Sequence, residues 1–138
     1  MGTRIDDLPI ELDQGDLQTR YIEQGDMAIR HARIPAGTDM APVLVGLPGD
    51  RCPSPHWGIV LEGSIRVQHA DGTEETAHAG EVYHWPPGHS AIVDEDLVFI
   101  EVGPVGPMRQ FGCASSANTQ RRSWANEDSA VGAPAVER

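Results

Sequence analysis

The sequence predicts an all-β domain whose short antiparallel strands form a sandwich or a barrel. Three observations carry this. Fifteen glycines and eleven prolines punctuate 138 residues, a density that favours many short strands over long helices. Between residues 57 and 102, apolar segments of strand length recur at regular spacing. An Asp71-Gly72 pair lies between two alternating segments, which is a strong hairpin cue.

Taken in order, residues 1–26 form a polar N-terminal arm with scattered apolar positions. Gln14-Gly15-Asp16 recurs as Gln24-Gly25-Asp26, and because the flanks do not match, the recurrence reads as turn chemistry and not as a repeat. Met27 to Ile34 suits a strand closed by the turn residues Pro35 to Asp39. The prolines and glycines between 41 and 55 forbid a helix there. They leave a loop or edge strand crossing one mouth of a barrel. Strands are then expected over 57–62, 64–70, 73–78, 81–86, 90–93 and 97–102, broken at Gly63, Asp71-Gly72, Ala79-Gly80, Pro87-Gly88 and Asp94 to Asp96. The main domain spans 27–112. Residues 113–138 read as a weakly ordered polar tail with a short helical turn near Trp124.

Composition narrows the function classes. A net charge of −11 argues against nucleic acid, whose phosphates need a basic surface, and disfavours anionic membranes. No apolar run reaches the roughly 20 residues of a membrane span, and the N-terminus lacks the apolar core of a secretory signal. A cytoplasmic protein is expected, with Cys52 and Cys113 as reduced thiols.

The segments His56-Trp57-Gly58-Ile59-Val60-Leu61-Glu62-Gly63 and Gly80-Glu81-Val82-Tyr83-His84-Trp85-Pro86-Pro87-Gly88-His89 carry a family resemblance. Their spacing, with a hairpin between them, resembles the two-motif core of the cupin superfamily over residues 27–103. This implies a single-domain double-stranded β-helix, the jelly-roll barrel. Within the superfamily the chain is similar to small single-domain bacterial cupins that carry Gly46 to Cys52, Pro55-His56-Trp57-Gly58 and Pro86-Pro87-Gly88-His89. The resemblance also implies a homodimer. Met27 to Ile34 is the expected partner strand, because an exposed edge needs covering.

The usual ligand positions are altered. His56 stands where the first motif has Glu, and Asp50 to Cys52 stand where a His-x-His pair is usual. Ala91 holds the second motif's histidine position, with His89 two residues early. Alternation along an extended chain puts Cys52, Ser54 and His56 on one face, and His89 shares parity with Ala91. Cys52, His56 and His89 are therefore the candidate metal ligands, with His84 as a further candidate. An imidazole and thiolate set favours a divalent transition metal (Zn, Fe, Ni or Mn) over Mg or Ca.

Each residue also has a plainer role open to it. His56 suits a polar lining of a metal-free cavity, Cys52 a buried thiol and His89 a turn cap. Since His84 adjoins Trp85, one faces in and the other out, and Trp85 is the inward choice. Trp57, Tyr83 and Trp85 can wall a ligand pocket, or serve as core or dimer contacts. Three functions stay open: a metal-dependent enzyme acting on a small organic molecule, a metal-free enzyme shuttling protons through His56 or His89, and a binding or sensing module without chemistry. The residues name no substrate.

Overall fold

The computed structural model describes residues 2–115, 117 and 118. Seven strands, β1 (Ile10–Gln14), β2 (Leu17–Gln24), β3 (Met27–Ile34), β4 (His56–His69), β5 (Glu74–His78), β6 (Val82–Trp85) and β7 (His89–Pro104), form one antiparallel sheet. Its order is β1-β2-β3-β7-β4-β5, with β6 on the other side of β4's first half. A helix, α1, starts at residue 105 and its described residues reach 118. Among the described residues, no helix is long and apolar enough to cross a membrane.

The barrel closes because β4 and β7 are long and bent. The first part of β4 pairs with β6 and with the end of β7, at Trp57↔Val102 and Gly58↔Glu101. The later part pairs with β5 and the start of β7, at Gln68↔Ser90 and His69↔His89. Register shifts between Val60 and Arg66 make the bend, as bulges do. Gly63 belongs to this bulge with φ +77°, and a Cβ there would lie 2.0 Å from Asp96 O. The breaks expected at Gly63 and at Asp94 to Asp96 are thus bends inside continuous strands.

Alternation fills the interior. Ala28, Arg30, Ala32 and Ile34 of β3 are buried while Met27, Ile29 and Arg33 are exposed. Val60, Ile65, Val67, Trp85, Val93, Leu97 and Phe99 belong to the main core cluster. A second cluster of Leu44, Leu47 and Cys52 packs against Phe111 and Ala114 of α1. Asn118 Nδ2 ties α1 to the 41–55 segment by donating to Val43 O and Val45 O, each at 2.9 Å.

Two expectations need correction. Residues 10–24, read as part of an arm, form β1 and β2 of the same sheet, and the two Gln-Gly-Asp sequences are the turns on either side of β2. Met27 to Ile34 is consequently no edge, since β3 lies between β2 and β7. The polar look of 10–24 comes from a hairpin with no fully buried position, which weakens its apolar signal. The 41–55 segment contains no strand but two 3-10 turns, Ala41–Leu44 and Pro48–Asp50, and meets β7 through the bridge Cys52↔His89, while Asp39 just before it bridges Ile92. Of the expected tail, residues 113–115, 117 and 118 are helical, and the turn near Trp124 lies outside the described residues.

Replacing Gly63 by Ala combines a positive φ with a steric clash, and is expected to cost at least about 2 kcal/mol. Gly72, with similar φ but open space around it, should cost about 1 kcal/mol on the same change. Urea unfolding of both variants measures this, and equal losses would contradict the bulge assignment.

Candidate metal centre and cavity

Three elements converge on one spot. His56 opens β4, His89 opens β7, and Cys52 lies on the loop between β3 and β4. Backbone bonds lock the last two together: Cys52 N donates to His89 O at 2.8 Å and Gly88 N to Cys52 O at 2.7 Å. The Pro86-Pro87-Gly88 turn aims His89 inward, and His89 Nδ1 lies 2.9 Å from Pro86 O. A carbonyl only accepts, so Nδ1 carries the proton and Nε2 keeps its lone pair.

Cys52, His56 and His89 are all buried, and one ligand atom from each lies within 4.8 Å of the others. Cys52 Sγ is 3.3 Å from His56 Nε2, and the two imidazole centroids are 5.0 Å apart. Burial sets the protonation of all three. It pushes His56 down to about 3, helped by the Arg30 charge. It pushes His89 down to about 4, helped by His56. It pushes the Cys52 thiol up to about 12. Both imidazoles are therefore neutral, the form that binds metal.

The donor set fits a transition-metal ion. With metal–N near 2.1 Å and metal–S near 2.3 Å, tetrahedral ligands sit about 3.5 Å apart, and the 3.3 Å between Sγ and Nε2 agrees. His89 Nδ1 on a backbone carbonyl is the orienting contact that metal-bound histidines usually make. Two nitrogens and one thiolate suit Zn or Fe, whereas Mg and Ca require oxygens.

Behind His56 runs a row in which sequence reasoning singled out Tyr83 and missed Arg30 and Glu101. Cross-strand partners place Tyr21, Arg30, Glu101, Gly58 and Tyr83 side by side on one face. Arg30 Nη1 donates to Glu101 Oε2 at 3.0 Å, and Glu11 of β1 accepts from Nε and Nη2 at 2.8 and 2.9 Å. Burial works against the Arg30 charge, but Glu11 and Glu101 outweigh it and raise its pKa. Burial also raises the Glu101 carboxyl, with Arg30 opposing. Glu101 Oε1 is 3.7 Å from His56 Nδ1, beyond hydrogen-bond range. His56 Nδ1, Tyr83 Oη and Trp85 Nε1 are buried polar atoms that meet no hydrogen-bond partner among the described residues. Burial and then the field of Glu101 push the Tyr83 phenol far up, although no hydrogen bond of good geometry closes between the two. A Cβ on Gly58 would sit 2.5 Å from Tyr83 Oη, so this position needs a residue without a side chain.

The other residues proposed from sequence divide between the two faces. Trp85 is buried and stacks on Tyr83 with centroids 3.9 Å apart. Trp57 and His84 stack on each other on the outer face. Alternation along β4 and β6 turns both away from His56 and Trp85, so His84 does not join the three candidate ligands. The signal for Glu101 and Arg30 was a charged residue at inward parity, among Leu97, Phe99 and Gly103 in one strand and among Ala28, Ala32 and Ile34 in the other.

A cavity of about 290 Å³ adjoins the cluster, and Cys52, His56, His89, Trp85, Arg30 and Glu101 contribute to its wall. The β1–β2 hairpin and α1 complete the enclosure through Glu11, Leu17 and Phe111.

No protein-family model and no curated protein matches this chain. Solved structures do. Oxalate decarboxylase from Bacillus subtilis aligns over 75% of this chain at 18% identity and TM-score 0.54. An RmlC-like cupin from Shewanella frigidimarina aligns over 72% of this chain and 85% of its own, at 18% identity and TM-score 0.52. The chain therefore has a cupin-type fold. KdgF from Halomonas sp. agrees, with 72% of this chain and 89% of that chain aligned at 17% identity and TM-score 0.53. This chain spans 30% of the decarboxylase chain, and at such identities the likeness concerns fold alone.

Replacing Arg30 by Met would strand Glu11 and Glu101 without their cation. An unfolding free energy lower by about 3–5 kcal/mol is expected. Glu101→Gln keeps an acceptor for Arg30 and should cost less. A loss below about 1 kcal/mol for Arg30→Met in urea titration would refute the central role of this pair.

Proposed function

We propose that this cupin holds a divalent transition-metal ion through Cys52, His56 and His89 and receives a small organic ligand in the adjoining cavity. One observation carries the reading: three buried donor atoms within 4.8 Å of one another, in the wall of a cavity. The Bacillus subtilis oxalate decarboxylase has Mn(II) centres, and a metal in the same type of barrel is consistent with the set present here. When bound, the ion would supply Lewis-acid polarisation of a ligand atom.

The chain's own residues then have distinct tasks. Pro86 O fixes the ring of His89 and its tautomer. The Cys52–His89 backbone pair sets the distance between loop and strand. Trp85 walls the cavity and keeps water from that side. A metal-free proton shuttle fits less well, because imidazoles with pKa values of about 3 and about 4 are far from the neutral range that general acid–base catalysis favours.

Elemental analysis of protein purified without a histidine tag should find close to one transition-metal ion per chain. Reconstitution with Co(II) should give a thiolate-to-metal charge-transfer band that Cys52→Ala abolishes. His89→Ala should lose the metal and His84→Ala should keep it. Protein that stays metal-free after reconstitution sinks the proposal.

A further inference from the structure

We infer that the cavity takes an uncharged, largely apolar molecule and turns away carboxylates and phosphates. The inference deepens the metal-centre reading, and rests on it for the placement of the ligand's polar end beside Cys52, His56 and His89. The charge argument itself needs no metal.

An anionic ligand would seek a cation, and among the described residues lining the cavity Arg30 is the one permanent cation. Its fork is already closed. Nε and Nη2 donate to the two oxygens of Glu11 at 2.8 and 2.9 Å, the paired arrangement an arginine offers to a bound carboxylate. Nη1 donates to Glu101 Oε2 at 3.0 Å and faces Met108 Sδ at 3.7 Å, while Nη2 also reaches Met108 O at 3.3 Å. The rings of Tyr21 and Phe111 each lie 5.0 Å from the guanidinium carbon. Glu11 therefore fills, from within the chain, the place a substrate carboxylate would occupy. Thr19 Oγ1 donates to the same Glu11 oxygen at 2.9 Å and holds it there.

The remaining charges offer an anion nothing. Glu101 is buried in the wall and Asp39 stands at the rim. With a divalent ion bound and Cys52 as thiolate, the ion, the thiolate, Arg30, Glu11 and Glu101 cancel, and Asp39 leaves the surroundings negative. The whole chain adds a field of the same sign at −11. Without the ion, an anion entering this space loses hydration with no free cation to replace it, which is costly.

The rest of the wall suits an apolar body: Met40, Leu44, Ile65, Trp85, Phe99 and Phe111. At about 290 Å³ the cavity lies at the small end of ligand sites. Its occupant is a compact neutral molecule with an apolar body and one lone-pair donor for the metal.

Benzamide and benzoate share a shape and differ in charge, so they make a suitable probe pair. Calorimetric titration and thermal shift of the metal-free protein should show benzamide binding at least tenfold more tightly than benzoate. In Glu11→Gln the amide N–H groups meet Arg30 N–H groups and open the fork, so the gap should narrow at least tenfold through a gain in benzoate affinity. Benzoate binding as well as benzamide to the wild type, absence of benzamide binding, or a folded Glu11→Gln with an unchanged gap would each overturn the inference. If Glu11→Gln does not fold, the wild-type ratio decides alone. Two samples separate the two ideas: a missing Co(II) band in the reconstituted protein refutes the metal centre, while the benzamide-to-benzoate preference in metal-free protein tests the charge argument.

Discussion

Arg30 is the pivot of this barrel. A guanidinium 1% exposed is tolerable only when every N–H is spent, and its partners come from three parts of the chain: Glu11 on β1, Glu101 on β7 and Met108 on α1. That requirement fixes where the first hairpin folds, how far β7 runs before the helix begins, and which turn of the helix lies against the barrel. Buried pairs of this kind often add little net stability over an apolar replacement. What they add here is position. Glu101 cannot shift without exposing Arg30, and Glu101 stands directly behind His56.

The candidate centre is held by the same logic on a smaller scale. Each of its three groups is fixed by a different device: a strand position for His56, a carbonyl contact for His89 and a pair of backbone bonds for Cys52. None relies on a long flexible side chain. Such a site is largely formed before any ion arrives, which favours a defined coordination geometry over an adaptable one.

Much of this was legible in the sequence. Glycine and proline spacing located the turns, and the parity of Cys52, Ser54 and His56 pointed one loop and one strand at a common interior. Adjacent positions along β6 separated Trp85 from His84. Other parts were hidden for physical reasons. Arg30 and Glu101 lie 71 residues apart, and a charged residue inside a strand does not reveal its partner. Glu11 lies at a register shift between Ile10 and Leu12, where simple alternation fails. The length of β4 and β7 was obscured because a bulge glycine looks like a strand end when only local signals are read.

The two cysteines of this chain occupy opposite environments, Cys113 exposed and Cys52 buried. Attack by oxidants and alkylating agents proceeds through the thiolate and requires access. Cys52 is 3% exposed, and with no ion bound burial holds its thiol protonated. Chemical damage therefore falls first on the helix thiol at the surface. The inner sulfur can be reached only through the cavity that it borders, so a ligand filling that cavity would shield it from the same reagents.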